Sequence, residues 1–95
     1  MKKVEFQKLH FGTVKWDDMF DSVDELIRTM IIVSPRFEKN GYKGYAYVNS
    51  FTKYYSENKE LTLKQITQLK RISKEIYKCY FKMWSLDKRF NVWYN

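Results

Sequence analysis

Cysteine and histidine are almost missing from this chain: Cys79 and His10 stand alone among 95 residues. A single cysteine excludes an intrachain disulfide and fits a reducing, cytoplasmic setting. One of each also leaves no zinc-ligand spacing and no cysteine–histidine catalytic pair. Proline occurs once, at Pro35, and glycine three times, at Gly12, Gly41 and Gly44. That scarcity excludes a glycine-rich phosphate cradle and a nucleophile elbow. The longest apolar run, Met30-Ile31-Ile32-Val33, is far too short to span a bilayer, and Met1–Lys8 lacks the apolar stretch of a signal peptide. These absences predict a non-enzymatic, cytoplasmic protein with no cofactor, no metal and no membrane partner.

Acid is the next shortage, and it is local. Residues 1–60 hold 10 Lys+Arg against 9 Asp+Glu, whereas residues 61–95 hold 8 against 2. Nearly all of the net charge of +7 therefore belongs to a basic C-terminal half, which calls for a polyanionic partner. Aromatic residues, by contrast, abound: 7 Phe, 8 Tyr and 3 Trp are more rings than a core of this size readily hides. Some of them should lie on the surface, where they suit bases or partner proteins.

The length predicts a single domain over residues 1–95. Hydropathy spacing predicts a mainly α fold, a compact bundle of about three helices after an extended or short-strand segment over residues 1–16. Val4, Phe6 and Lys8 alternate weakly there before Gly12 interrupts. Asp21 or Ser22 can cap a first helix carrying Val23, Leu26, Ile27, Met30 and Ile31, with Asp24 and Glu25 at its positive end. Ser34-Pro35 should end it. Residues 35–44 read as a loop, in which Asn40-Gly41 could instead nucleate a hairpin. A second helix follows from Tyr45, with Val48, Phe51, Tyr54 and Tyr55 inward. Thr62 and Gln65 make a capping box, and Leu61 with Ile66 a hydrophobic staple. From there Ile66, Leu69, Ile72, Ile76, Tyr80 and Met83 mark one long helix over about residues 63–85.

Two constellations point to nucleic acid. Arg71, Lys74, Lys78 and Lys82 form a stripe on the last helix, flanked by Lys64 and Lys70, with Glu75 the only acid before Asp87. Cations without acids four residues away are arranged to neutralise phosphates. In the loop, Arg36, Phe37, Lys39, Tyr42, Lys43 and Tyr45 interleave charge and ring, the mixture that follows a single strand's backbone and stacks on its bases. No groove-reading motif for duplex DNA is present. A third segment is acidic and aromatic. Trp16, Met19 and Phe20 lie among Asp17, Asp18, Asp21, Asp24 and Glu25. Its carboxylates would repel nucleic acid, so it should face away from it and anchor a protein partner through its three large side chains. The glycine and glutamate spacing of a calcium loop is absent.

Phe51, Tyr55, Leu61-Thr62, Lys64-Gln65, Leu69 and Ile72 together resemble a helical hairpin of small phage and mobile-element replication proteins. The size and charge also resemble those of the small middle proteins of staphylococcal cassette primase–polymerase operons. The resemblance spans about 25 residues and implies a larger replication protein, such as a DNA polymerase/primase, as partner, and single-stranded DNA rather than RNA as ligand. It carries no catalytic residue. Two other functions fit the residues: a phage or mobile-element inhibitor that binds a host protein without nucleic acid, and a winged-helix duplex DNA regulator built on a hairpin at Asn40-Gly41.

Overall fold

A computed structural model describes the backbone of residues 1–40 and 44–94, and the side chains within them other than those of residues 6, 10, 11, 38–40 and 84–94. Among the described residues the chain is mainly helical, with no strand and six helices rather than three: α1 Phe6–Phe11, α2 Trp16–Met19, α3 Val23–Asn40, α4 Tyr45–Asn58, α5 Leu63–Arg71 and α6 Ser73–Tyr94. α3 packs against both α4 and α6, and α2 rests on α6.

The N-terminal segment supplies two of the additional helices. Residues 1–5 are non-helical but pair with no strand. Their polar groups are met by other elements instead. The Lys2 N–H donates to the Met19 carbonyl at 2.8 Å, and the Val4 N–H donates to the Tyr77 hydroxyl at 3.0 Å. The short α1 then buries Leu9 in the core. It ends at Gly12, whose N–H reaches the Lys8 carbonyl at 3.0 Å. A Cβ there would lie 2.9 Å from that oxygen, so the close approach requires glycine.

α3 starts as its sequence predicts. Ser22 caps it, accepting the Glu25 N–H at 3.1 Å. The Met1 ammonium bridges Glu25 at 2.9 Å and Asp21 at 3.1 Å. Hydrogen bonding to Glu25, then to Asp21, holds that amine above its ordinary value of 8.0. The predicted stop at Ser34-Pro35 does not occur. Pro35 lies inside α3, and the helix continues to Asn40. The reason lies beyond the proline: Phe37 is fully buried beside Leu26, Met30 and Val33, and only continued helix brings its ring to that face. With α3 ending at Asn40 and α4 starting at Tyr45, four residues remain between them. Asn40 of the Asn40-Gly41 pair thus ends a helix, and the choice between loop and hairpin at Gly41 lies outside the described residues.

α4 buries Val48 and Phe51 and packs Tyr54 and Tyr55 partly against the core, as predicted. It ends on Lys59, which adopts the left-handed conformation (φ 61°) and donates its N–H to the Tyr55 carbonyl at 2.7 Å. The Thr62 capping box is present in full: Thr62 Oγ1 accepts the Gln65 N–H at 3.1 Å, and Gln65 Oε1 accepts the Thr62 N–H at 2.9 Å. Such a cap contributes about 1 kcal/mol to the start of α5.

The long final helix is the second correction. It divides at Ile72, where ψ is 7°, about 50° from the helical value. The Ile72 N–H is shared between the Gln68 and Leu69 carbonyls, at 3.2 Å each, and the buried Ser73 hydroxyl donates to the Lys70 carbonyl at 2.6 Å. A serine that takes over a main-chain carbonyl lets a helix bend without stranding its polar groups. The bend receives Gly44, in the left-handed region at φ 84°, where an added Cβ would meet Ile72 at 3.3 Å. The whole apolar stripe still turns inward: Leu69 and Ile76 are fully buried, and Ile66, Ile72, Tyr80 and Met83 pack partly against the core.

Candidate nucleic-acid interface

On α6, Lys74, Lys78 and Lys82 follow one another at spacings of four, which puts them on one helix face. Lys82 is exposed, and Lys74 and Lys78 are half-buried. The ion pairs shown within 4.0 Å are those of the Met1 ammonium, and none joins an α6 lysine to a described carboxylate. The three lysines therefore have no carboxylate partner there, and neither does Glu75, which shares their side of α6. Mutual repulsion of such i,i+4 cations costs a helix about 0.2–0.5 kcal/mol per pair. A bound polyanion would relieve that cost.

Arg71 and Lys64 lie on α5, on the other side of Ile72 from this row. Both line a groove of about 510 Å³ between α4 and α5, together with Tyr47, Phe51, Leu63 and Gln68, and no described α6 side chain lines it. Lys64 and Arg71 are seven residues apart and so share a face of α5. Tyr47 is 48 % exposed and stands 5.8 Å from the Phe51 ring, centroid to centroid. Leu63 is 83 % exposed. The predicted stripe thus spans two helices, with Lys64 and Arg71 on α5 and Lys74, Lys78 and Lys82 on α6.

Lys70 belongs to neither set. Its ammonium sits 4.6 Å above the Trp16 ring, a cation–π contact that occupies the charge. This contact, with α2 packed on α6, brings the acidic segment against the C-terminal helices. The predicted partner anchor fails. Met19 and Phe20 are fully buried, Phe20 edge-on to Tyr77 at 5.9 Å, and Trp16 is only half-exposed under Lys70. α2 is a piece of core, because its large side chains seal one end of α6.

The aromatic loop divides similarly. Phe37, predicted to stack on bases, lies fully inside. Arg36 is exposed on α3, and Tyr45 is 48 % exposed on the first turn of α4. Tyr42 and Lys43, and the side chain of Lys39, fall outside the described residues. Gly44 against Ile72 brings the loop's end to the junction between the two cation sets.

Tyr47, Leu63 and Gln68 were not predicted as site residues. Their signal was subtractive: Tyr47 and Leu63 are the apolar residues left over once the inward positions of α4 and α5 are assigned. Cys79 is buried in the core, away from solvent. No group of three or more His, Cys, Asp or Glu among the described residues could hold a metal ion. Among them, too, no helix is long and apolar enough to cross a membrane. No family model, curated protein or solved structure compared with the chain matches it.

Proposed function

We propose that this protein is a non-catalytic accessory factor that binds single-stranded nucleic acid through α6 while associated with a larger replication protein. The observation that carries the reading is the row Lys74, Lys78 and Lys82, with no counter-ion among the described residues. Each lysine neutralises one phosphate and releases its condensed counterion. Tyr45, exposed on the first turn of α4, offers a ring that stacks on a base. Single strands are favoured over duplex because the sequence carries no groove-reading motif. The preference for DNA, and a polymerase/primase as partner, follow from the resemblance of residues 51–72 to mobile-element replication proteins.

A salt titration of fluorescence anisotropy tests this, comparing a labelled single-stranded DNA, its duplex and the matching RNA. Lys74→Glu with Lys78→Glu should weaken binding to every sequence alike by at least about tenfold. It should also reduce the slope of log affinity against log salt by roughly 1.4, at about 0.7 per phosphate lost. Unchanged affinity and slope would refute the assignment. If the wild-type chain binds no oligonucleotide at low salt, the inhibitor reading takes its place, and the exposed Leu63 and Tyr47 are the observation that favours it.

A further inference from the structure

Nucleic acid explains α6 but not the groove between α4 and α5. Leu63, its most exposed apolar member, has no π-face to stack on a base and no charge to meet a phosphate. An exposed leucine beside a tyrosine, with cations at the edge, has the composition of a protein-binding groove: apolar centre, polar rim. The rim is all of one sign. Lys64 and Arg71 stand about 10.5 Å apart along α5. Among the described residues neither has a carboxylate partner, and none of those that line the groove is acidic. Gln68, between them in sequence, offers an amide to a polar group.

The charge decides the occupant. A second copy docked about a two-fold axis would set Lys64 and Arg71 against themselves, on chains that each carry +7. A basic or neutral peptide would leave both cations at the rim without partners. We propose that the α4–α5 groove docks a short acidic amphipathic segment of a protein partner, an apolar side chain seating on Leu63 and Tyr47 and its carboxylates on Lys64 and Arg71. If the segment is helical, its acids recur about two turns apart, matching the spacing of the two cations. The groove replaces the buried α2 segment as the partner surface and works independently of α6.

The test is a display selection of random peptides about four helical turns long on the immobilised full chain. Parallel selections use Leu63→Asp and the pair Lys64→Glu, Arg71→Glu. All of these positions are exposed. An aspartate at residue 63 also opens α5, where a carboxylate suits the helix dipole, so the fold is retained; circular dichroism melting checks this. Wild type should enrich peptides with an acidic excess around a large apolar residue. These should lose on the order of tenfold in affinity against Leu63→Asp, and the charge-reversed chain should enrich basic peptides instead. Failure to enrich, winners without acid, or winners indifferent to all three substitutions would overturn the proposal. So would a wild-type dimer in sedimentation equilibrium that Leu63→Asp abolishes, which gives the groove to a second copy. A drop in oligonucleotide affinity in Leu63→Asp equal to that of the α6 variant would give it to nucleic acid.

Discussion

α3 contains the chain's one proline and stays helical through it, whereas residues 63–94 contain neither proline nor glycine and still break at Ile72. Proline in a helix interior costs about 3 kcal/mol, through a lost amide and a ring clash. Burying Phe37 returns about 1.5–3 kcal/mol, and the helical hydrogen bonds beyond Pro35 add to that. The two sides are close, and α3 persists. At Ile72 the bend costs little, because the shared amide and the Ser73 hydroxyl keep the carbonyls paired. Small packing gains, such as Gly44 against Ile72, then suffice. A breaker residue is an energy term rather than an instruction, and a helix ends where the sum of terms changes sign.

Removing the ring that holds α3 together should have the largest effect. Phe37→Ala is expected to destabilise the fold by about 3–5 kcal/mol in urea melts and to lower helicity at the end of α3. Unchanged stability would mean that Phe37 is not what carries α3 past the proline. Pro35→Ala acts on the same helix with the opposite sign. It restores a backbone donor at an exposed position but loosens the unfolded chain, for a net stabilisation of about 1–2 kcal/mol. Destabilisation would reverse the account given for α3. Ser73→Ala probes the other side of the comparison. Losing the bond to the Lys70 carbonyl should cost about 1 kcal/mol in the same melts, and a neutral result would show that the bend needs no hydroxyl.

The smallest effect concerns where α3 begins. The Met1 amine titrates above its ordinary 8.0 in the folded chain because Glu25 and Asp21 hold its charge. Its stabilisation is therefore complete below pH 8 and fades as pH climbs through the raised value. The melting temperature should fall slightly over that range, and Glu25→Gln should flatten the dependence.

Local chemistry made the helix starts legible. Thr62 with Gln65, and Ser22 with Glu25, are contacts between residues three apart, so the sequence alone specifies them. The end of α3 was not legible, because the signal at Pro35 is local while its opponent, the burial of Phe37, depends on α3 packing with α4 and α6. The break at Ile72 leaves no mark on the apolar spacing, which runs unbroken across it from Leu69 to Ile76. For the same reason the cations read as one stripe. That Arg71 and Lys64 meet Tyr47 across a groove is set by how α4 folds back on α5. The acidic run around Trp16 suggested a surface, but its rings are spent on the core and on Lys70.

Tyr77 has a kinetic consequence. Its hydroxyl takes the Val4 N–H at 3.0 Å and donates to the Lys2 carbonyl at 2.8 Å, contacts that span 73 and 75 residues. Closing so long a loop costs chain entropy, which the shorter-range contacts of the arm to Met19, Asp21 and Glu25 only partly offset. The helical pair α3–α4 forms from close neighbours, so the N-terminal arm is the last element to settle and the first to peel away. Hydrogen exchange at Val4 then reports on the opening of α6, from nearly the opposite end of the chain.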